Sequence, residues 1–447
     1  MVIGRLARIF YAGIIALVAT VATVSVAYAQ YAVSYGSMIP TPQAVIPENQ
    51  NVLQRPHPDY GALGIRAGSF LIYPTADLTE AWDSNIYATP TDNDSDMVTT
   101  FSPAVSVASD WNNHALNLLI ADQSQWYWTH RTENVTNITA TAEGRFDIER
   151  NVYLSGGGGY QLSHEQRGSP NAAVSGLHPT EFHVVDGNLG FTRNVGIIGL
   201  QVNSAVDSYS YNNNVTNTDA QIPEQYRDYI QYAVTPQLTY EIVPGYSAFI
   251  KVPLNERQYV GQDPLGFNHS SHGYEGDIGA ALALGHVING NIYASYFEQD
   301  YEDRALGGNA SGPGGGGDLL WNITDLTSFR FAASRTVQEE AAGLPDTSSG
   351  AFLPSSSYTE TTGKVSVEHE LLRNVLLTAS GTYFIDEFNG SGVTRSDNNY
   401  NAYVGARYLM NRVLSLNLDA NYWHRDSTTP GINYDREIIG LRLHFQL

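Results

Sequence analysis

Few residues of this chain have the types and the spacing that chemistry requires. The candidate catalytic pairs are Ser163 with His164 and His424 with Asp426. Neither pair has the third group that would complete a nucleophile, a base and an orienting acid. His269 and His272 offer two imidazoles to a metal, but no third ligand is near in sequence. We therefore predict no enzyme, no cofactor and no metal site.

Three other motifs fall short of a ligand site. Asp92, Asp94 and Asp96 have the spacing of a calcium loop, but the sixth position is Met97 instead of glycine, and the twelfth is Pro103 instead of glutamate. The glycine runs at 156–159 and 314–317 lack the Lys-Ser/Thr of a phosphate-binding loop. We interpret the first run as a strand with little side-chain bulk and the second as a flexible loop.

Composition narrows the class of protein. The 447 residues carry a net charge of −22, which argues against nucleic acid as a partner. Only 15% of residues are charged and the mean hydropathy is −0.24, so apolar residues are interleaved with polar ones. The chain has 29 tyrosines, which suit a membrane interface, and no cysteine, which excludes disulfides and thiolate metal sites.

The elements that would hold these residues are strands. In residues 414–422 every second residue is apolar or aromatic and those between are polar, and residues 439–447 alternate apolar with polar or small residues. A period of two gives a strand with one apolar and one polar face. Such strands suit a barrel wall with lipid outside and water inside.

The N-terminal part has a different character. Residues 1–29 have a charged start, an apolar run and Ala27-Tyr28-Ala29, the order of a cleaved secretory signal, with an uncleaved anchor as the alternative. Residues 30–62 contain five prolines and predict a flexible periplasmic arm. We interpret this arm as a plain tether, with docking to a partner as the alternative. Residues 63–447 are predicted to form the barrel.

Turn signals divide the barrel region into hairpins. The short turns are predicted at residues 110–113, 149–152, 192–195, 243–246, 287–290, 322–325, 372–375 and 410–413. The longer loops are predicted at residues 89–96, 131–134, 167–179, 211–223, 261–272, 306–317, 341–355, 389–396 and 427–431. The asymmetry between short turns and long loops is typical of transmembrane antiparallel up-and-down β-barrels. Counted from Leu78, and including a short strand at residues 318–323, the predicted strands number about 18 (roughly 16–20). Both termini would then be periplasmic.

The polar positions of the predicted strands would line the lumen. They are Arg330, Lys364, Glu368, Glu370, Tyr403, Arg407, Asp419, Trp423, Arg442 and His444. A barrel of this size leaves an aqueous channel unless it is plugged. Trp423 and Tyr403 would either stack on sugar rings or serve as packing aromatics.

One stretch carries a family resemblance. Gly64, Gly68-Ser69-Phe70 and Pro74, followed by Asp83-Ser84-Asn85-Ile86, Ser109-Asp110-Trp111 and recurrent Arg-Asn-Val turns, resemble the putative β-barrel porin type 2 family. Members of that family are outer-membrane proteins often associated with exopolysaccharide gene clusters. One departure from the usual pattern of outer-membrane proteins is the final Leu447, where Phe or Trp is usual.

The resemblance implies a channel for export of exopolysaccharide in a Gram-negative outer membrane. The alternatives are a general diffusion porin for small hydrophilic solutes and a plugged barrel that acts as a surface interaction protein. The expected partners are outer-membrane lipid and lipopolysaccharide, the barrel-assembly machinery and, for export, polysaccharide and periplasmic export proteins.

Overall fold

The computed structural model describes residues 50–447 except 92, 171, 173–175, 307–308, 340–343, 346–351, 354 and 391–394. The predicted signal peptide, residues 30–49 of the predicted arm and Asp92 therefore lie outside the described residues. In the described part of the chain, no helix is long and apolar enough to cross a membrane.

Eighteen antiparallel strands form one closed barrel. The first nine are β1 (Phe70–Asp83), β2 (Asp96–Ser109), β3 (Ala115–Tyr127), β4 (Val135–Glu149), β5 (Val152–His164), β6 (Glu181–Val195), β7 (Ile198–Tyr211), β8 (Tyr229–Val243) and β9, which has two parts (Tyr246–Lys251 and Leu254–Tyr259). The second nine are β10 (Ser271–Leu284), β11 (Ile288–Tyr301), β12 (Ala310–Thr324), β13 (Thr327–Glu339), β14 (Ser355–Leu372), β15 (Val375–Gly390), β16 (Ser396–Leu409), β17 (Leu414–Ser427) and β18 (Tyr434–Gln446). The predicted fold class is confirmed.

Every strand pairs with its chain neighbours, and β1 pairs with β18 to close the sheet, with Asp77 opposite His444. At one end of the barrel, which we call the turn end, the connections between strands have two to five residues. At the other end, which we call the loop end, they have five to seventeen residues. A closed sheet leaves no unpaired edge strand.

Side chains alternate between the two faces as the sequence pattern predicts. On β18, Ile439, Leu441 and Phe445 are 49%, 47% and 42% exposed on the outer face. Between them lie Arg442 and His444, whose cross-strand partners are the polar residues of β17 and β1. Apolar side chains outside and polar ones inside suit a wall between lipid and water.

The sequence interpretation is wrong around β12. Residues 312–317, predicted as loop, belong to a full strand that pairs with β11 and β13. The short strand expected from residue 318 onward is only its second half. Glycine in a strand is usually unfavourable, but here the aromatic side chains of β11 lie against the glycines: a Cβ on Gly316 would be 2.9 Å from the Tyr293 hydroxyl.

Two turns and the first strand are displaced from their predicted positions. The predicted turn at 192–195 lies wholly within β6, and residues 288–290 of the turn predicted at 287–290 lie within β11, because Gly196 (φ 63°) and Gly285 (φ 56°) supply the left-handed residue of each turn. The turn after β4 is where the sequence places it, with Asn151 left-handed (φ 64°). The first strand begins at Phe70, ahead of the expected Leu78, and is preceded by a short partner strand, Ile65–Ala67.

Buried apolar clusters lie at the loop end. One contains Ala88, Trp423 and Tyr434, with Phe384 packed against it. Others centre on Tyr211 and on Leu306. These clusters hold the loops against the strands at the loop end.

Candidate functional site

The strand register assigns every inward side chain, because residues paired across an antiparallel ladder share a face. From Arg330 the row of partners runs through Ser366, Ser380 and Tyr403 to Asn421. By the same register all ten residues predicted to line the lumen lie on the inward face. Whether each of them meets a passing solute stays a prediction.

Several of these ten residues contact one another or their neighbours on the wall. Arg407 Nε donates to Asn417 Oδ1 at 2.7 Å, and Arg442 Nη2 lies 3.9 Å from Asp419 Oδ1. His444 Nδ1 lies 2.8 Å from the Asp77 carboxylate, which joins the last strand to the first.

Trp423 faces inward but is only 5% exposed, because it packs against Ala88 and Tyr434. It is a packing aromatic, one of the two roles that the sequence left open. A ring buried in this way has no free face for a sugar.

Water reaches the inward face. Arg330 is an inward residue of β13, and its side chain is 53% exposed although it donates to Asp318 at 2.7 Å. Lys364 on β14 and Glu143 on β4 are also exposed inward residues. Side chains in the interior of a filled barrel would be buried, so the lumen is open to solvent at these positions.

The inward charges differ between the two sides of the barrel. On strands β12 to β18 both signs occur on the inward face, where Arg330, Lys364, Arg407 and Arg442 lie among Asp318, Glu368, Glu370 and Asp419. On β4 to β7 the inward charges are Glu143, Arg145, Asp147, Asp186 and Asp207, with Asp186 directly opposite Asp207 in the register. Because these two groups of strands lie on opposite sides of the barrel, the difference in charge produces an electrostatic field across the lumen. Sequence reasoning missed the acidic side, although alternation within β6 and β7 would have found it.

A segment that we call the strap, residues 50–64, lies inside the barrel at the turn end. Val52 is completely buried, and its N–H donates to Ser328 Oγ at 3.0 Å. Ser328 donates to Asn322 Oδ1 at 2.5 Å, and Asn322 Nδ2 donates to Gln50 O at 3.1 Å. The strap therefore begins against β12 and β13.

Glu368 anchors the next residues of the strap. Asn51 Nδ2 donates to Glu368 Oε1 at 2.9 Å, and the Leu53 N–H donates to Oε2 at 3.4 Å. Asn51 also caps the 3-10 turn Val52–Gln54 by accepting a hydrogen bond from the Gln54 N–H at 2.9 Å. One carboxylate thus holds a locally ordered turn against β14.

The rest of the strap follows the wall to the seam between β18 and β1. Its contacts join His57 Nε2 to Glu370 Oε2 (3.5 Å), Arg412 Nη2 to Pro58 O (3.1 Å), Gln446 Nε2 to Tyr60 O (2.8 Å) and Gly64 N to Leu447 O (3.2 Å). Residues 50–62 are therefore held against the wall of their own barrel, an arrangement that neither interpretation of the arm included.

At the loop end, buried ion pairs hold the loops together. Arg227 is 2% exposed; it donates to Glu165 with both terminal nitrogens and to Glu224 at 2.9 Å, and its guanidinium lies 4.1 Å from the centre of the Tyr211 ring. Burial alone would lower the pKa of Arg227, but Glu165 and its other neighbours raise it well above its usual value. The arginine therefore stays charged and crosslinks two loops.

A second loop, residues 260–270, closes around one carboxylate. Asp263 accepts hydrogen bonds from the N–H groups of Leu265 and Phe267, and its Oδ2 lies 3.2 Å from His269 Nε2. Burial would raise the pKa of Asp263, but these hydrogen bonds lower it below its usual value. His269 is thus a structural partner of Asp263, while His272 is exposed on β10.

The candidate catalytic pairs are not assembled. Ser163 and His164 are consecutive residues of β5 and lie on opposite faces of the wall. His424 Nδ1 contacts Asp435 at 2.8 Å, a residue that the sequence did not suggest as its partner. Across the described residues, no group of three or more His, Cys, Asp or Glu side chains is arranged to hold a metal ion.

Comparison with known proteins gives one family match. The family model described as putative beta-barrel porin 2 matches residues 57–447. Similar solved structures from Pseudomonas aeruginosa are the outer membrane protein opdK (11% identity over 84% of this chain and 98% of that chain, TM-score 0.44), OpdL (10%, 85% and 99%, 0.43) and OccK2 (OpdF) (9%, 85% and 97%, 0.45). No curated protein matches the sequence.

Proposed function

Because this chain belongs to the putative beta-barrel porin 2 family, we propose that it is a passive diffusion channel for small hydrophilic solutes across the outer membrane. The observation that carries the proposal is the open, polar inward face, on which Arg330, Lys364 and Glu143 are exposed to water. Such a wall exchanges hydrogen bonds with solutes weakly enough for them to leave again.

The charged wall suits small polar solutes. Mixed charges on one side and an excess of carboxylates on the other orient a dipolar solute as it passes, at little cost because both walls remain hydrated. We place the turn end and both termini on the periplasmic side, following the general asymmetry of outer-membrane barrels.

The diffusion channel has better support than the polysaccharide exporter. Export rests on the family resemblance alone. Of the two aromatic side chains that could have stacked on sugar rings, Trp423 is buried against Ala88 and Tyr403 is half-buried. A lumen whose exposed inward residues are mostly charged or small favours general permeation by size and charge.

Single-channel recording in planar bilayers, together with swelling of liposomes in neutral sugars of increasing size, tests the proposal. We expect a steady ohmic conductance and swelling rates that fall smoothly as the sugar becomes larger. A folded protein that gives neither conductance nor swelling would contradict the diffusion channel and favour the plugged barrel. Permeation of long oligosaccharides at the rate of monosaccharides would instead restore the exporter.

A further inference from the structure

We propose that the strap, residues 50–64, forms the constriction at the periplasmic mouth and sets the ion preference of the channel there, with Glu368 as its anchor. This inference rests on the proposed function, since a constriction has meaning only in a conducting barrel. The strap would be an adjustable part of the pore, distinct from the eighteen strands.

The strap lies inside the lumen. Its wall partners Ser328 and Glu368 are opposite each other in the register and face inward. Glu370 and Gln446 also face inward. Its contacts run along this face from Asn322 on β12 to Gln446 on β18 and reach the rim at the turn residues Asp325 and Arg412. The strap therefore takes up cross-section that the barrel would otherwise leave to solvent.

Docking of the strap changes which charges a solute meets. Glu368 accepts two hydrogen bonds from the strap, and Glu370, 6% exposed, lies against His57. The strap adds Arg55, which interacts electrostatically with Glu368 along with Arg330 and Arg407. Both carboxylates keep their charge, but the docked strap shields them from the lumen and places Arg55 near Glu368, so a solute meets a less negative mouth.

The strap is separable from the sheet. Residues 50–62 form no strand, and the ladder begins with the short strand Ile65–Ala67. Val52 is the one fully buried apolar side chain between residues 50 and 62, all of which the structure describes. The remaining contacts are polar ones, each of which adds little to the stability of the closed sheet. Removal of the strap should therefore leave the barrel closed.

The size of the effect follows from the barrel dimensions. An extended segment that follows about a third of the inner rim of an 18-strand barrel fills roughly a quarter of the section at that level. If the barrel keeps its size, removal of the strap restores that quarter of the section, and the single-channel conductance should rise about 1.3-fold.

The first experiment compares the whole chain with a variant that lacks residues 50–60, by conductance and by reversal potential in a KCl gradient. We expect a higher conductance and a reversal potential shifted toward cation preference, because Glu368 and Glu370 become accessible. The deletion removes Arg55 and Asp59 together and so leaves the formal charge unchanged. Heat-modifiable migration on a gel verifies that both barrels are folded.

A pair of point variants separates docking from deletion. Val52→Asp places a carboxylate in the buried position beside Ser328 and should release the strap, so that its conductance matches that of the deletion. Pro56→Asp adds the same charge to the strap at an exposed position and should keep the conductance of the whole chain.

A crosslink supplies the opposite test. The chain has no cysteine, so Leu53→Cys with Ser366→Cys can be bridged by a short bis-maleimide without side reactions. The bridged protein should keep the low conductance and lose any steps to a higher level.

Two results have distinct meanings. Equal conductance and reversal potential in the whole chain and in the deletion variant would overturn the strap as a constriction and leave the channel standing. Absence of any conductance from both folded proteins would overturn the proposed function, and the strap proposal with it.

Discussion

Arg227 has more partners, and is more deeply buried, than an arginine in a surface ion pair. It is buried, with Glu165 on one side and Glu224 on the other, and lies over the Tyr211 ring. Because removal of one partner leaves buried carboxylates uncompensated, we expect Arg227→Met to destabilise the loop end by about 3–5 kcal/mol. Limited proteolysis between residues 212 and 228 and thermal unfolding in detergent would measure the loss.

Arg66 provides the control for Arg227. It forms an ion pair with Asp110 at 2.6 Å, but both side chains are exposed, 60% and 39%. Since exposed pairs contribute at most about 1 kcal/mol, Arg66→Met should leave proteolysis and melting almost unchanged. Equal effects of the two substitutions would show that burial of Arg227 contributes nothing to the stability of the loops.

At the scale of single elements, β12 shows how a strand can be built from glycine. A Cβ on Gly316 would lie 2.6 Å from the Ala333 carbonyl oxygen and 2.9 Å from the Tyr293 hydroxyl. Gly316→Ala must therefore displace backbone or ring, and we expect a loss of about 1–3 kcal/mol in the free energy of unfolding. Urea titration of the folded band in detergent or lipid measures it.

Gly381 on β15 is the matched control for Gly316, because a Cβ there meets nothing within 4 Å. Gly381→Ala should leave the free energy of unfolding unchanged or raise it by up to about 1 kcal/mol, since alanine restricts the unfolded chain. If Gly316→Ala were as well tolerated, the close packing of β11 against β12 would not be needed.

For the whole molecule, the side of the wall on which a charge lies should decide whether it affects permeation. Arg330 and Arg335 belong to the same strand, and Arg330 faces inward while Arg335 faces outward. A unit charge about 10 Å from an ion in water contributes about 0.4 kcal/mol, so Arg330→Gln should shift the permeability ratio roughly twofold toward cations. Arg335→Gln should not change it.

Reversal potentials in a KCl gradient, measured for both arginine variants, check this prediction. Raising the salt concentration should reduce the effect of Arg330→Gln, because mobile ions screen the wall. A shift of the same size from Arg335→Gln would contradict the assignment of faces along β13 and, with it, the lumen lining inferred from alternation.

The sequence by itself determined the barrel, its strand number and the inward face. This was possible because a period of two fixes the side of the wall for each residue once a strand is recognised, as for Arg442 and His444. The pattern failed at residues 312–317, where glycine gives no alternation to read, and at turns where a neighbouring glycine was better suited to the left-handed conformation.

Only the tertiary structure decided what stands inside the wall. Asn51 and Glu368 are 317 residues apart in sequence, Tyr60 and Gln446 are 386 apart, and even the loop pair Arg227 and Glu165 is separated by 62 residues. Neither periodicity nor composition relates such distant residues, because their meeting depends on closure of the sheet and on which strands come to face one another. The strap, the buried arginine crosslinks and the unequal charges of the two sides of the lumen therefore follow from the closed barrel.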